Sequence, residues 1–302
     1  MQPGDTVAIV SPSGPPNAVM LRRGVERLEA LGLKVVVGAH ALDRQELDYL
    51  AGSDAARAAD LQAAWCDPAV SAVFCCRGGY GAARLLDRLD WNAMRAAGRK
   101  VLVGSSDITA LHNAFAVELG VPTLHGPMPA SQIMADEKRP EPQSWESLRA
   151  ALFGAGGPAH DYRVHGDRVL VPGRAEGVLS GGNLSLLASM CGTRWQPSFQ
   201  GRIAFLEDVT EEPYRIDRML TQLSQAGVFE GVRGIALGSW VDCGDPYPVL
   251  RERLAPLGVP VVAGLPVGHG SPQMSVWLGA LGVIDTESCS LAGRIGEKEQ
   301  AR

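Results

Sequence analysis

The stretch "VLVGSSDITALH" (residues 101–112) runs a β-branched apolar segment into Gly-Ser-Ser-Asp and then straight into a helical pattern. So short a turn between strand and helix is the joint of a parallel α/β fold, in which a helix crosses back over the sheet after each strand. The joint itself could be plain punctuation, a cradle for a phosphate, or a perch that holds one serine out for chemistry. Outward from it, "TVAIV" (6–10), "LKVVV" (33–37), "SAVFCC" (71–76) and "KVLVG" (100–104) read as buried strands. Between them "NAVMLRRGVERLEALG" (17–32), "DAARAADLQAAWCD" (54–67) and "GAARLLDRLD" (81–90) carry apolar residues at helical spacing. The alternation predicts an α/β fold whose first unit is a mostly parallel sheet with helices on both faces. Ligands of such sheets bind beyond the carboxyl ends of the strands, so the residues just after each strand are the functional candidates.

The bulk numbers narrow the classes. The chain has 302 residues, 46% hydrophobic and 20% charged, enough for two packed units. Its formal net charge is −5, with no basic block, which argues against a nucleic-acid partner. No apolar run approaches the ~18 residues of a membrane span, and the opening "MQPGDTVAIVSPSGPP" reads as a first strand rather than a targeting segment. Six cysteines follow no framework spacing, and the adjacent Cys75 and Cys76 read as small buried hydrophobes, which suits a cytoplasmic protein. Histidines and cysteines are scattered without ligand spacing, so neither a metal nor a cofactor is expected. Residues 131–169, rich in charge, Pro and Gly, read as a connecting region with a helix around 144–153. They divide an N-terminal unit (1–130) from a C-terminal one (170–302). In the latter, "RIAFLED" (202–208), "GIALGSW" (234–240) and "PVVAGLPVGHGSP" (260–272) read as strands with polar exits, "YRIDRMLTQLSQAGVF" (214–229) as an amphipathic helix, and "GVLSGGNLSLLASMCG" (177–192) as a glycine turn opening a helix.

Three polar residues stand at strand exits: Ser106, Glu207 and His269. A nucleophile, a base and an acid that orients the base form a triad recognisable by roles rather than by chain order. Each has a plainer alternative. Ser106 could be a turn residue, with Asp107 the better cap for a helix starting at Ile108, and Ser105 is a rival hydroxyl that strand alternation points the other way. His269, flanked by Gly268 and Gly270, could be an ordinary turn histidine. His125 also ends a short strand, His112 falls on a helix, and His160 and His165 lie in the connector. Alternation places Glu207 on the face of Ile203 and Phe205, where a carboxylate needs a partner. Asp208 faces the opposite way, and Glu211 and Glu212 fall in the next loop. The cluster "CCRGGYGAARLL" (75–86) looks like a phosphate loop in outline but matches neither nucleotide motif. Bare N–H groups at such a turn serve any oxyanion, a tetrahedral intermediate included.

Taken together, the pieces resemble one family, the LD-carboxypeptidases, serine peptidases of the muramoyltetrapeptide carboxypeptidase and microcin C self-immunity type. The likeness is carried in order by "VAIVSPSGP" (7–15), "CRGGYGAARLLDRLDW" (76–91), "VGSSDITALH" (103–112), "GVLSGGNLSLL" (177–187), "FLEDVTEEPYRIDRMLTQL" (205–223) and "GLPVGHGSPQMSVWLGA" (264–280). The resemblance implies an N-terminal flavodoxin-like parallel domain and a C-terminal β-rich α/β domain with the site at their junction. It places the triad on Ser106, Glu207 and His269, the oxyanion donors on the backbone N–H groups of Gly79 and Asp107, and Asn183 near the substrate. It further implies a peptide or muropeptide substrate, commonly a homodimer, and release of the terminal D-alanine of murein tetrapeptides. Arg77, before the glycine loop, is a candidate clamp for a substrate carboxylate, with a structural salt bridge as the alternative. Relatives usually carry an aromatic residue or histidine before the nucleophile, where this chain has Ser105. The immunity branch offers a second substrate, aminoacyl- or peptidyl-adenylate analogues, with Trp195 and Trp240 as candidate stacking partners. A non-catalytic nucleotide- or muropeptide-binding protein is the rival of another class.

Overall fold

The computed structural model describes residues 1–154 and 161–294. Strands β1 (Thr6–Val10), β2 (Lys34–Val37), β3 (Val70–Cys75), β4 (Val101–Gly104) and β5 (Thr123–His125) pair in parallel in the order β2-β1-β3-β4-β5. This is the flavodoxin-like doubly wound order, whose ligand crevice lies at the carboxyl ends of β1 and β3, where the winding reverses. The crossovers are made by α1 (Ala18–Glu29), α2 (Asp54–Cys66), α3 (Trp91–Ala96) and α4 (Thr109–Glu118). Period-2 alternation divides each central strand between two cores. Ala8 and Val10 pack with Leu61, Trp65 and Phe115, while Val7 and Ile9 pack with Leu21, Leu28 and Leu148. Helix α1 starts where its sequence says it should, the Asn17 carboxamide accepting from Val19 N–H (2.9 Å) and Met20 N–H (3.2 Å).

The 81–90 stretch departs from the helix expected of it. Only a 3₁₀ turn forms, over Ala82–Leu85, held by i→i+3 bonds such as Arg84 N–H to Gly81 O at 3.2 Å. Leu85, Leu86 and Leu89 are buried, as the spacing requires, but Asp90 caps a fresh helix by accepting from Asn92 and Ala93, so the chain turns before α3.

The connecting region holds α5 (Gln132–Ala135) and α6 (Pro142–Phe153). Residues 155–160, and His160 with them, lie outside the described residues. Next come β6 (Tyr162–His165) and β7 (Arg168–Val171), then β8 (Arg174–Asn183), α7 (Leu184–Ser189), β9 (Arg202–Val209), α8 (Pro213–Gln225), β10 (Gly234–Val241), α9 (Tyr247–Leu254) and β11 (Val261–Ala263). The chain ends with β12 (Val276–Leu278), β13 (Leu281–Asp285) and β14 (Ser290–Arg294). The second sheet runs β6-β14-β13-β8-β9-β10-β11-β7, parallel through β8 to β11 and antiparallel toward both edges. The "GVLSGGN" stretch, read as a glycine turn, stays in β8 as far as Asn183, and the helix opens only there. β6, within 131–169, and β7, which straddles its end, thus join the second sheet, while β12 crosses back to pair antiparallel with β5 at the edge of the first. Val276 and Leu278 of β12 pack with Ile203 and Phe205 of β9, so one core spans the junction of the two sheets.

Candidate active site

Ser106 has φ +62°, a left-handed conformation costly for any residue with a Cβ. It leaves β4 at the sharp turn before α4 with its side chain only half-buried. The turn is held from behind by Asp107. This carboxylate does not cap α4 as its position suggests; it accepts from Ser13 Oγ (2.5 Å) after β1 and from Ala82 N–H (2.8 Å) in the glycine loop. Burial raises the Asp107 pKa, against the lowering effect of these two bonds and of Arg57. Arg57, with no exposed side chain, donates to the carbonyls of Pro12 and Gly81 (3.0 Å to the latter) and to Asp54. The loops after β1, β3 and β4 are therefore laced together at the switch point of the sheet.

The glycine loop comes directly against the serine. A Cβ on Gly78 would lie 2.7 Å from Ser106 Cβ and 2.9 Å from Oγ, and 3.4 Å from the Asp107 nitrogen. Gly79 follows at φ +112°, a conformation open to glycine. The backbone N–H groups of Gly79 and Asp107, the two expected oxyanion donors, thus belong to segments that meet at Ser106. Arg77 is exposed; its guanidinium donates to Pro15 O (3.3 Å), and no ion pair holds it among the described residues.

Glu207 and His269 meet across 62 residues of chain. Glu207 Oε2 accepts from the His269 backbone N–H (3.2 Å) and pairs with Nδ1 at 2.7 Å, the carboxylate fully buried and the ring 23% exposed. The close approach needs Gly268, at φ +119°, because a Cβ there would stand 2.5 Å from Glu207 Oε2. Burial acts to lower the His269 pKa, but the hydrogen bond and charge of Glu207, with Asp208 adding, outweigh it and leave the imidazole above its ordinary value. With Nδ1 bonded to the carboxylate, Nε2 is the nitrogen left to take a proton. Among the described residues no hydrogen bond joins Ser106 Oγ to His269; in such sites that bond commonly tightens only with substrate in place.

The alternatives are placed elsewhere. His112 is buried with both nitrogens engaged, by Thr123 Oγ1 (2.8 Å) and Gly104 O (3.0 Å), and its pKa is pushed down to about 4 by burial. His125 is buried edge-on to Phe205, and burial, then the charges of His112 and His269, hold its pKa well down. His165 binds Ser288 O at the surface of the second sheet. Ser105 is buried, its Oγ accepting from Gln273 Nε2 (3.1 Å). Asp208 faces away from Glu207 as alternation requires and accepts from Asn183 Nδ2 (2.8 Å), Ser185 N–H and Val209 N–H; burial still raises it to about 6. Asn183, expected beside the substrate, has its Oδ1 taken by Ser185 Oγ and Leu186 N–H at the start of α7, which leaves one side-chain N–H for a ligand. Glu211 pairs with Arg215 (3.7 Å). Trp195 is buried, its Nε1 donating to Glu118, whereas Trp240 lines a cavity of about 540 Å³ with Ser239, Tyr247 and Gly270, beside the His269 loop.

Sequence reading passed over Ser13, Arg57 and Gln273. Arg57 had a signal: it shares the apolar stripe of α2 with Leu61 and Trp65, where a charge must be satisfied. Ser13 and Gln273 sit in loops, and no periodicity marks them.

A Streptomyces coelicolor protein named as a carboxypeptidase is 51% identical over 299 residues, covering 96% of this chain and 94% of its own. The murein tetrapeptide carboxypeptidase of Pseudomonas aeruginosa is 34% identical over 293 residues, 92% of each chain. The solved structure of the microcin C7 self immunity protein in complex with aspartyl sulfamoyl adenosine superposes with a TM-score of 0.86 at 26% identity, over 98% of this chain and 97% of that one. Residues 7–126 match the LD-carboxypeptidase N-terminal domain and residues 176–284 the LD-carboxypeptidase C-terminal domain, and the chain belongs to that family of hydrolases.

Proposed function

We propose that the chain is a serine LD-carboxypeptidase that removes the terminal D-alanine of murein tetrapeptides, with Ser106 as nucleophile, His269 as base and Glu207 as its orienting acid. The observation that carries the reading is the Glu207–His269 pair: a fully buried carboxylate 2.7 Å from the ring nitrogen it would orient, in a family of peptidases. In this reading Ser106 Oγ attacks the carbonyl carbon of the scissile amide while His269 Nε2 takes its proton. The carbonyl electrons move to the oxygen, which the N–H groups of Asp107 and Gly79 receive. Collapse of the tetrahedral species breaks the C–N bond, and the imidazolium returns the proton to the departing D-alanine amine. Water then cleaves the ester by the same transfers, freeing the serine. Glu207 holds the tautomer and offsets the charge that forms on the ring. Arg77, exposed just before the glycine loop and in no ion pair among the described residues, is suited to the substrate's terminal carboxylate.

The murein substrate is supported by the relative named for it, with 92% of each chain aligned. The adenylate reading is favoured by one observation, Trp240 in the cavity beside the His269 loop. Side-by-side assays decide: release of D-alanine from a disaccharide tetrapeptide supports the first reading, and exclusive cleavage of an aminoacyl sulfamoyl adenosine overturns it. A cytoplasmic homodimer is part of the proposal. The six cysteines are free, as a reducing compartment keeps them, and no helix among the described residues is long and apolar enough to cross a membrane.

A further inference from the structure

The segment after His269 is fastened to the connecting region and to the first sheet at several points. Gln273 N–H donates to Ser144 Oγ (2.8 Å) and Ser275 N–H to Ser147 Oγ (2.9 Å), both on α6, and β12 then pairs with β5. One further point reaches the nucleophile turn itself. Gln273 Nε2 donates to Ser105 Oγ at 3.1 Å, and each residue is only 5% exposed. The donor is well held, because its own backbone is anchored on α6. Ser105 precedes the residue at positive φ, a conformation that persists only where its surroundings over-determine it. On the other side Asp107 is tied to Ser13 and Ala82. The turn is thus pinned at both neighbours of Ser106, and only the Ser105 pin reaches the segment that carries the histidine.

We propose that Ser105 and Gln273 are a positioning pair, which fixes the nucleophile turn against the His269 loop and keeps the serine hydroxyl within reach of the imidazole across two units. The proposal rests on the reading of Ser106 as nucleophile and His269 as base. The small side chain at position 105 leaves room for the Gln273 carboxamide against the turn. Neither residue touches the reacting atoms; a displacement of the turn by a fraction of an ångström is what their loss would cause, and proximity terms are steep at that scale.

The test uses the full chain as wild type, Ser105→Ala, Gln273→Ala, the double variant, and Gln273→Met, which keeps the volume and removes the donor. Two rates are measured: labelling by a fluorophosphonate, in which the serine oxygen displaces fluoride at phosphorus and His269 takes the proton, and kcat and KM for a disaccharide tetrapeptide. Each single variant, Gln273→Met included, is expected to slow labelling and kcat about 10- to 100-fold while KM stays within about twofold. The double variant is expected to be no slower than the slower single one, since both remove the same bond. Labelling at the wild-type rate in the single variants overturns the proposal, even with a lowered melting temperature, and so do losses that multiply in the double variant. Failure of the underlying reading looks different: wild type would go unlabelled, or Ser106→Ala would be labelled as fast as wild type.

Discussion

At the scale of single residues, the account turns on one imidazole. A general base must be neutral to accept a proton, and the Glu207 hydrogen bond and charge hold the His269 pKa above its ordinary 6.5 despite burial. Protonation therefore begins at a higher pH than for a free histidine, and kcat/KM is expected to fall as pH drops through a value above 6.5, as a pH–rate profile of the free enzyme reads. Rates that stay level between about pH 5 and 8 would contradict the assignment. His112 and His125, whose pKa values burial pushes down, are already neutral there and supply no such limb. Glu207→Gln should lower kcat by roughly 10⁴-fold, because an amide permits the wrong tautomer. The acid limb of its residual activity should move down in pH, since the group that raises the pKa is gone while the burial remains. A variant with kcat near wild type would remove Glu207 from the mechanism. Ser106 stood out because it follows β4 directly, where parallel sheets place ligands, whereas Glu207 lies inside β9 and His269 in the loop well beyond β11. Asp107 was read as a cap and proved to be a brace between three loops, which no local rule distinguishes.

Elements position those residues through close backbone approach. At Gly78 an added Cβ meets the Ser106 side chain at 2.7 Å, so Gly78→Ala must push either the loop or the nucleophile. A loss of about 10²-fold in kcat is expected, with a far-ultraviolet circular dichroism spectrum like that of wild type. Undiminished kcat would mean the loop is not held against the serine. The long, periodic elements were the ones legible from sequence: β1, β3, β4 and β9 are buried strands, and α1, α2 and α8 bury Leu28, Leu61 and Leu220 on one face. Short ones were not. β12 is three residues set between glycines and prolines, too brief for a period to register, and β6 and β7 lie in a stretch whose charge and proline content read as linker. The 3₁₀ turn at Ala82–Leu85 has helical spacing, yet the Asp90 cap starts the helix later.

For the molecule as a whole, the two sheets are not independent beads. β12 leaves the C-terminal half to cover the β5 edge, and its Val276 and Leu278 share a core with Ile203 and Phe205. A fragment ending at residue 153 would bare that edge and lose part of its packing, and open strand edges invite pairing between chains. Such a fragment is expected to elute as aggregates on size exclusion, whereas a folded, monomeric fragment would show that the N-terminal sheet stands without β12. This crossing places the loop of residues 268–275 against the nucleophile turn, and on it rests the proposal that residues more than 160 positions apart in sequence act on one peptide bond. The most direct measurement is the mass of a disaccharide tetrapeptide after incubation with wild type and with Ser106→Ala. The account predicts loss of one D-alanine with wild type and an unchanged peptide with the variant. The same loss with both proteins, or an intact peptide with wild type, would contradict it.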